Sequence, residues 1–240
     1  MTDHTADGTL KRTAGIAGLA FLVIVIGYTL TWIFVYSRLI AAGDVTATAG
    51  NIMVHASLFR IGIAGDLLIV VSGIVLSVAL YILLKPVDRN LALLALVLKL
   101  ADAVLAAVTV SLSFIAVEML TGEAFIAVRN PEQVQDLVGL FLSLHAAAST
   151  IPLVFTSLGF IVFFYLFLKS KYIPGILAGF GIFSYGLLLI YSCITIPDAL
   201  PAASLLDTFD IIIFAPSILF ELTIGLWLLL KGVTVPPRGR

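Results

Sequence analysis

The chain has 240 residues, 61% of them hydrophobic and only 11% charged, with a mean hydropathy of +1.19 and a formal net charge of −1. A water-soluble fold has nowhere to put that much apolar surface, and the balanced charge removes the electrostatic case for a nucleic-acid partner. The single cysteine, Cys193, excludes an internal disulfide, and with only three histidines few ligands remain for a metal.

Lys11 and Arg12 precede an apolar run that begins at Ala14 and continues to about Val35. This run is longer than the core of a cleaved signal peptide and long enough to span a bilayer, so it reads as a retained signal anchor. Residues 1–10 read as a short disordered cytoplasmic tail. Five further apolar runs follow, over 58–84, 91–117, 138–168, 175–196 and 208–230. Each reaches the roughly 20 residues that a helix needs to cross the hydrocarbon. The ten-residue alternation of a membrane β-barrel is absent. The fold class is therefore all-α: a polytopic six-helix transmembrane bundle over 11–232, with a short tail at 233–240.

Lys11, Arg12, Lys85, Arg89, Lys169, Lys171, Lys231, Arg238 and Arg240 fall on one side of this arrangement. The other side holds Arg38 and Arg129 in its loops, with Arg60 just inside the second helix. The positive-inside rule then places both termini in the cytoplasm of a bacterial inner membrane. The loops at 85–90 and 169–174 are short, which makes their flanking helices antiparallel neighbours. Pro86 and Pro174 fall at these turns, while Pro152 and Pro216 fall inside helices four and six and predict kinks or local unwinding.

Helices two, four and six end alike, in Tyr81-Ile-Leu-Leu-Lys85, Tyr165-Leu-Phe-Leu-Lys169 and Trp227-Leu-Leu-Leu-Lys231. Helices one and five open alike, with Gly15-Ile-Ala-Gly18 and Gly175-Ile-Leu-Ala-Gly179. Three stacked helical hairpins would produce this pattern. So would an aromatic belt followed by a lysine at the membrane edge, without any duplication.

The segment Leu58-Phe-Arg-Ile-Gly-Ile-Ala-Gly-Asp-Leu67, followed by Leu80-Tyr-Ile-Leu-Leu-Lys-Pro-Val-Asp-Arg-Asn-Leu-Ala-Leu-Leu-Ala95, resembles a bacterial family of multi-span membrane proteins, the domain of unknown function 4386 family. The likeness extends to the 11–18 opening, to Leu142–His145 and to the Leu-Trp-Leu-Leu-Leu-Lys-Gly ending at 226–232. It implies a bacterial six-helix membrane protein and carries no catalytic residue over to this chain.

Ionisable groups inside a bilayer cost at least about 2.5 kcal/mol each at a helix centre, so they face a bundle interior, pair, or serve a site. Arg60 and Asp66 lie six residues apart, about 120° out of alignment on a helix, and each needs a partner on another element. Lys99 and Asp102 stand at i and i+3, which allows a pair within helix three. His145 lies among small residues in helix four, where another backbone can come close, and Glu221 sits a turn after Pro216 in helix six. Arg60, Asp66, Lys99, Asp102, His145 and Glu221 are thus the candidate substrate or proton site, and one polar cavity lined by them is the expectation. The competing account has the same charges fixing helix packing, with His145 satisfied between helices and Lys99 snorkelling to the edge.

No catalytic residue, metal site or cofactor is predicted. Only His145, His55 and marginally Asp66 are placed as ligands, and Lys231 is too near the membrane edge for a retinal Schiff base. No phosphate-binding loop or dinucleotide fingerprint occurs; Gly62-Ile-Ala-Gly65 and Gly15-Ile-Ala-Gly18 read as helix-packing spacings. Three functions fit: a small-molecule or proton-linked carrier, a non-enzymatic accessory protein contacting lipid, and, third, an intramembrane enzyme. Membrane lipid and a small-molecule ligand are the expected partners; the oligomeric state is left open.

Overall fold

The computed structural model describes residues 3–41, 44–122, 131–196 and 203–234, and among them it is helical throughout, without a strand. α1 spans Asp3–Thr31 and runs on through a π-helical segment, Trp32–Tyr36, into the single turn of α2, Ser37–Leu39. α3 (Val45–Val54) leads through His55 into α4 (Ala56–Leu84). α5 (Arg89–Thr121), α6 (Pro131–Ser170), α7 (Gly175–Thr195) and α8 (Ala203–Leu230) complete the order. Six stretches are long and apolar enough to cross a membrane: Gly8–Leu39, Ala56–Leu84, Arg89–Thr121, Ala148–Ser170, Gly175–Thr195 and Ile213–Leu230. The chain is a multi-pass, six-helix membrane protein.

Helix boundaries differ from the sequence expectation mainly at two places. α1 opens at Asp3, ahead of the apolar run, so part of the polar opening is helical. α6 begins at Pro131 rather than near 138 and is 40 residues long. A proline followed by an acidic residue suits the first turn of a helix, where no N–H is needed and the dipole favours negative charge. At 1.5 Å per residue α6 extends about 60 Å, roughly twice the hydrocarbon thickness. α6 and α8 run on through Pro152 and Pro216.

The turns are built as their residues require. Asp88 caps α5 by accepting the Leu91 N–H at 3.1 Å and pairs with Lys169 at 3.7 Å. Gly232, at φ +70°, ends α8 with its N–H on the Trp227 carbonyl at 3.2 Å. The recurrent aromatic-to-lysine endings have a local cause. Lys231 lies 4.5 Å from the Trp227 ring centre and Lys85 lies 5.9 Å from that of Tyr81, each one helical turn on. The similar glycine openings share no packing role. Gly18 is in close contact, whereas Gly15 and Gly179 face open space.

The chain divides into two compact units. The first comprises Met1–Val25, Val71–Ala103 and Thr150–Arg240. Its core is aromatic: Phe160 stacks on Phe21 at 5.6 Å and on Tyr185 at 4.5 Å, and Phe220 meets Phe164 edge-on at 4.6 Å. With no hydrophobic effect to drive helices together in lipid, close backbone approach carries the packing. At Gly18 the α1 backbone comes so near α8 that an added Cβ would lie 2.6 Å from the Gly225 carbonyl oxygen. In α7 the buried Ala178, Gly181, Ser184, Tyr185, Leu188 and Ser192 form one stripe. Gly181 leaves room on it for Phe220. Elsewhere, large apolar side chains stay outside, Ile176 at 90% and Leu230 at 78% exposure among them. Such a surface is stable against acyl chains and not against water.

The second unit comprises Ile26–Val70 and Val104–Ser149. Its core includes Val35, Leu39, Ile52, Phe59, Val110 and Leu120. α3 folds onto it: Asp44 caps the helix at Ala47 N–H (2.8 Å), and Asn51 donates to the Leu39 carbonyl (3.2 Å). The Gly62–Gly65 spacing packs α4 on the first span. A Cβ at Gly62 would stand 2.9 Å from Val35 Cγ1, and one at Gly65 only 2.5 Å from Thr31 Cγ2. Gly65→Ala should therefore cost about 1–3 kcal/mol, and Thr31→Ser, which removes the opposing methyl, should restore most of it. Thermal unfolding of the three variants in detergent checks this; equal unfolding temperatures for G65A with and without T31S would refute the contact.

Candidate functional site

Lys99, Asp102 and Glu221 come together in the first unit. Lys99, 5% exposed, donates to Asp102 Oδ2 at 2.5 Å and to Thr156 Oγ1 of α6 at 3.1 Å. Its ammonium also stands 4.3 Å from the Phe160 ring centre. Gly159 makes room for the stem, since a Cβ there would meet Lys99 Cγ at 2.8 Å. Lys99 therefore does not snorkel. The i,i+3 spacing closes an ion pair, and a second helix supplies a hydroxyl and a ring for the rest of the ammonium.

Glu221 of α8 has no cation within ion-pair distance among the described residues; it accepts the Tyr185 hydroxyl of α7 at 2.7 Å. Tyr185 is 1% exposed. Lys99 is within electrostatic reach of Glu221, and Asp102 within reach of Tyr185. Thr223, the neighbour available to Glu221 on its own helix, bonds the Leu219 carbonyl instead. Tyr185→Phe should leave a covered carboxylate oxygen without its donor and cost about 1–3 kcal/mol. Unfolding in detergent reads that cost; an unchanged midpoint would mean that water replaces the hydroxyl.

Arg60, Asp66 and His145 lie in the second unit. Arg60 finds its partner on α5: Nη1 bonds Glu118 Oε1 at 2.6 Å and Nη2 bonds Thr121 Oγ1 at 3.1 Å. Both side chains of this pair are over 40% exposed, so its net worth is under about 1 kcal/mol. Asp66 accepts a hydrogen bond from the Tyr36 hydroxyl, at the end of the π-helical segment. His145 Nδ1 sits 3.0 Å from Ser113 Oγ and 3.1 Å from the Thr109 carbonyl oxygen, both on α5. His145 and Asp66 are within electrostatic reach.

The six candidates thus belong to two clusters, each described within its own unit. The sequence reasoning missed the tyrosines. Tyr36 and Tyr185 supply the hydroxyls that Asp66 and Glu221 accept. The available signal was their position, inside apolar spans and away from the lysine-flanked ends where belt aromatics gather. Among the described residues no group of three or more His, Cys, Asp or Glu is placed to hold a metal ion.

A family model described as Domain of unknown function (DUF4386) matches residues 16–232. The chain belongs to that family. Both clusters lie within the matched region. No match was found among curated proteins or among solved structures.

Proposed function

We propose that this member of the family is a proton-linked carrier of a small molecule in a bacterial inner membrane, with both termini cytoplasmic. One observation carries the reading: Lys99, Asp102, Tyr185 and Glu221, from three helices, stand within electrostatic reach of one another in an otherwise apolar unit. Groups of this kind are costly in a bilayer and mark proton or substrate paths. Glu221 supports the reading most, because a carboxyl held by a neutral hydroxyl can gain or lose a proton without breaking an ion pair. The orientation rests on the distribution of Lys and Arg.

The test is solute-dependent proton movement in proteoliposomes carrying an internal pH dye, screened across small organic solutes. At least one solute should collapse an imposed pH gradient with wild-type protein. Glu221→Gln should abolish this while leaving the unfolding temperature near wild type. Wild-type rates for E221Q would overturn the reading.

A second reading, an accessory protein held together by its charges, is favoured by the closure of the Lys99 site. Asp102, Thr156 and the Phe160 ring occupy the ammonium and leave little for a ligand. Variants of Lys99, Asp102 and Glu221 that lose only stability, with no flux found for any solute, would support it.

A further inference from the structure

His145 is the one described histidine whose ring is held by another transmembrane helix, and the partners on that helix decide its tautomer. A backbone carbonyl can only accept a hydrogen bond. With the Thr109 oxygen 3.1 Å from Nδ1, a bare lone pair on that nitrogen would face a second lone pair across a low-dielectric gap. The proton therefore sits on Nδ1 and is directed to Thr109, with Ser113 Oγ at 3.0 Å sharing it or turning its own hydrogen away. Thr109 and Ser113 are both buried. What remains to titrate is Nε2.

Asp66 faces the complementary situation. Its Oδ2 accepts the Tyr36 hydroxyl, and no Lys or Arg among the described residues is within ion-pair distance. The charged groups nearest in sequence are otherwise engaged: Arg60 holds Glu118, Arg38 lies over the Phe34 ring, and Asp44 caps α3. The groups that face Asp66 are Tyr36 from the first span, with Tyr28 close to Tyr36, and His145 from α6. α5 brings only Thr109 and Ser113, through the imidazole.

We propose that Asp66 and His145 form a proton-exchanging pair in the second unit, with His145 locked as the Nδ1–H tautomer by Thr109 so that Nε2 is its exchanging nitrogen. Tyr36 is a positioning residue that fixes the carboxylate. On uptake, a proton from water forms one new bond, O–H on Asp66 or N–H on Nε2. On release the same bond breaks and the proton returns to water; nothing is oxidised or reduced. Because the two groups interact, they titrate as a pair. The inference extends the carrier reading to a second cluster and depends on it only for what the proton would drive.

The test uses full-length protein in detergent or nanodiscs, with the proton as the probe. Nitrogen-15 NMR of histidine-labelled protein, with His145→Gln to assign the signal, should show Nδ1 protonated and Nε2 bare at high pH. Infrared difference spectra should show one protonated-carboxyl band that Asp66→Asn removes. In the wild type, the His145 shift should carry an inflection at the midpoint of that band. Coupling is reciprocal. H145Q should therefore displace the carboxyl midpoint, and D66N the Nε2 midpoint, by a common factor of at least about three in proton affinity. Tyr36→Phe should leave the tautomer intact. An Nε2–H tautomer, or a wild-type His145 titration without the shared inflection, would overturn the proposal even if the variants fail to fold. Flux failing while the coupled titration holds would sink the carrier reading and leave the pair standing.

Discussion

Lys99→Met should destabilise the folded protein by about 3–5 kcal/mol, the expected cost of removing one partner from a buried ion pair. The methionine keeps the stem that lies against Gly159 and removes the ammonium. Asp102, whose side chain is only 16% exposed, then holds a charge with no counterion. Asp102→Asn should cost less, because Lys99 keeps Thr156 and the Phe160 ring. The decisive comparison is the double variant Lys99→Met/Asp102→Leu. Replacing both members of a buried pair by apolar groups of similar size is often neutral or better, so the double variant should be more stable than K99M alone. Unfolding in detergent gives the cycle, and additive losses would mean that the two side chains do not act as a pair. The same double variant also separates the two functional readings. A stable protein that has lost flux assigns the pair to carriage; one that keeps flux assigns it to packing.

Gly18→Ala is the second large effect. The new methyl would lie 2.6 Å from both the Gly225 carbonyl oxygen and the Leu229 nitrogen, so the obstacle is backbone and no side chain can turn aside. α1 and α8 must separate, at a cost in the upper part of the roughly 1–3 kcal/mol usual for overpacking. Gly15→Ala is the control. It lies one turn earlier in the same Gly-Ile-Ala-Gly motif, faces open space, and should be neutral or slightly stabilising, by up to about 1 kcal/mol, through helix propensity. Unfolding temperatures of the two single variants settle it; equal losses would show that the motif responds to any side chain rather than to this contact.

That contrast shows where sequence reasoning stops. The spacing of Gly15 and Gly18 marks both as packing residues, yet only one touches another helix. Which face of α1 meets α8 depends on the rotation of each helix, and an apolar helix with lipid outside and protein inside shows little amphipathic bias to reveal it. The same blindness covers Asp66 and Glu221. Their need for partners follows from burial alone, but the partners are Tyr36 and Tyr185, about 30 and 36 residues away along the chain.

Hydropathy by itself determined the all-α class, the six membrane-crossing helices and the short turns at 85–88 and 171–174, because the cost of unpaired backbone in hydrocarbon leaves a continuous helix as the solution for each apolar run. It determined the Lys99–Asp102 pair too, since i,i+3 neighbours meet whatever the rest of the chain does. Only the tertiary structure decided that the six candidate charges divide between two units, that Arg60 belongs to Glu118, and that Thr109 holds the His145 ring. Those contacts join residues about 36 to 58 positions apart, and helix rotation and crossing, not local spacing, bring them together.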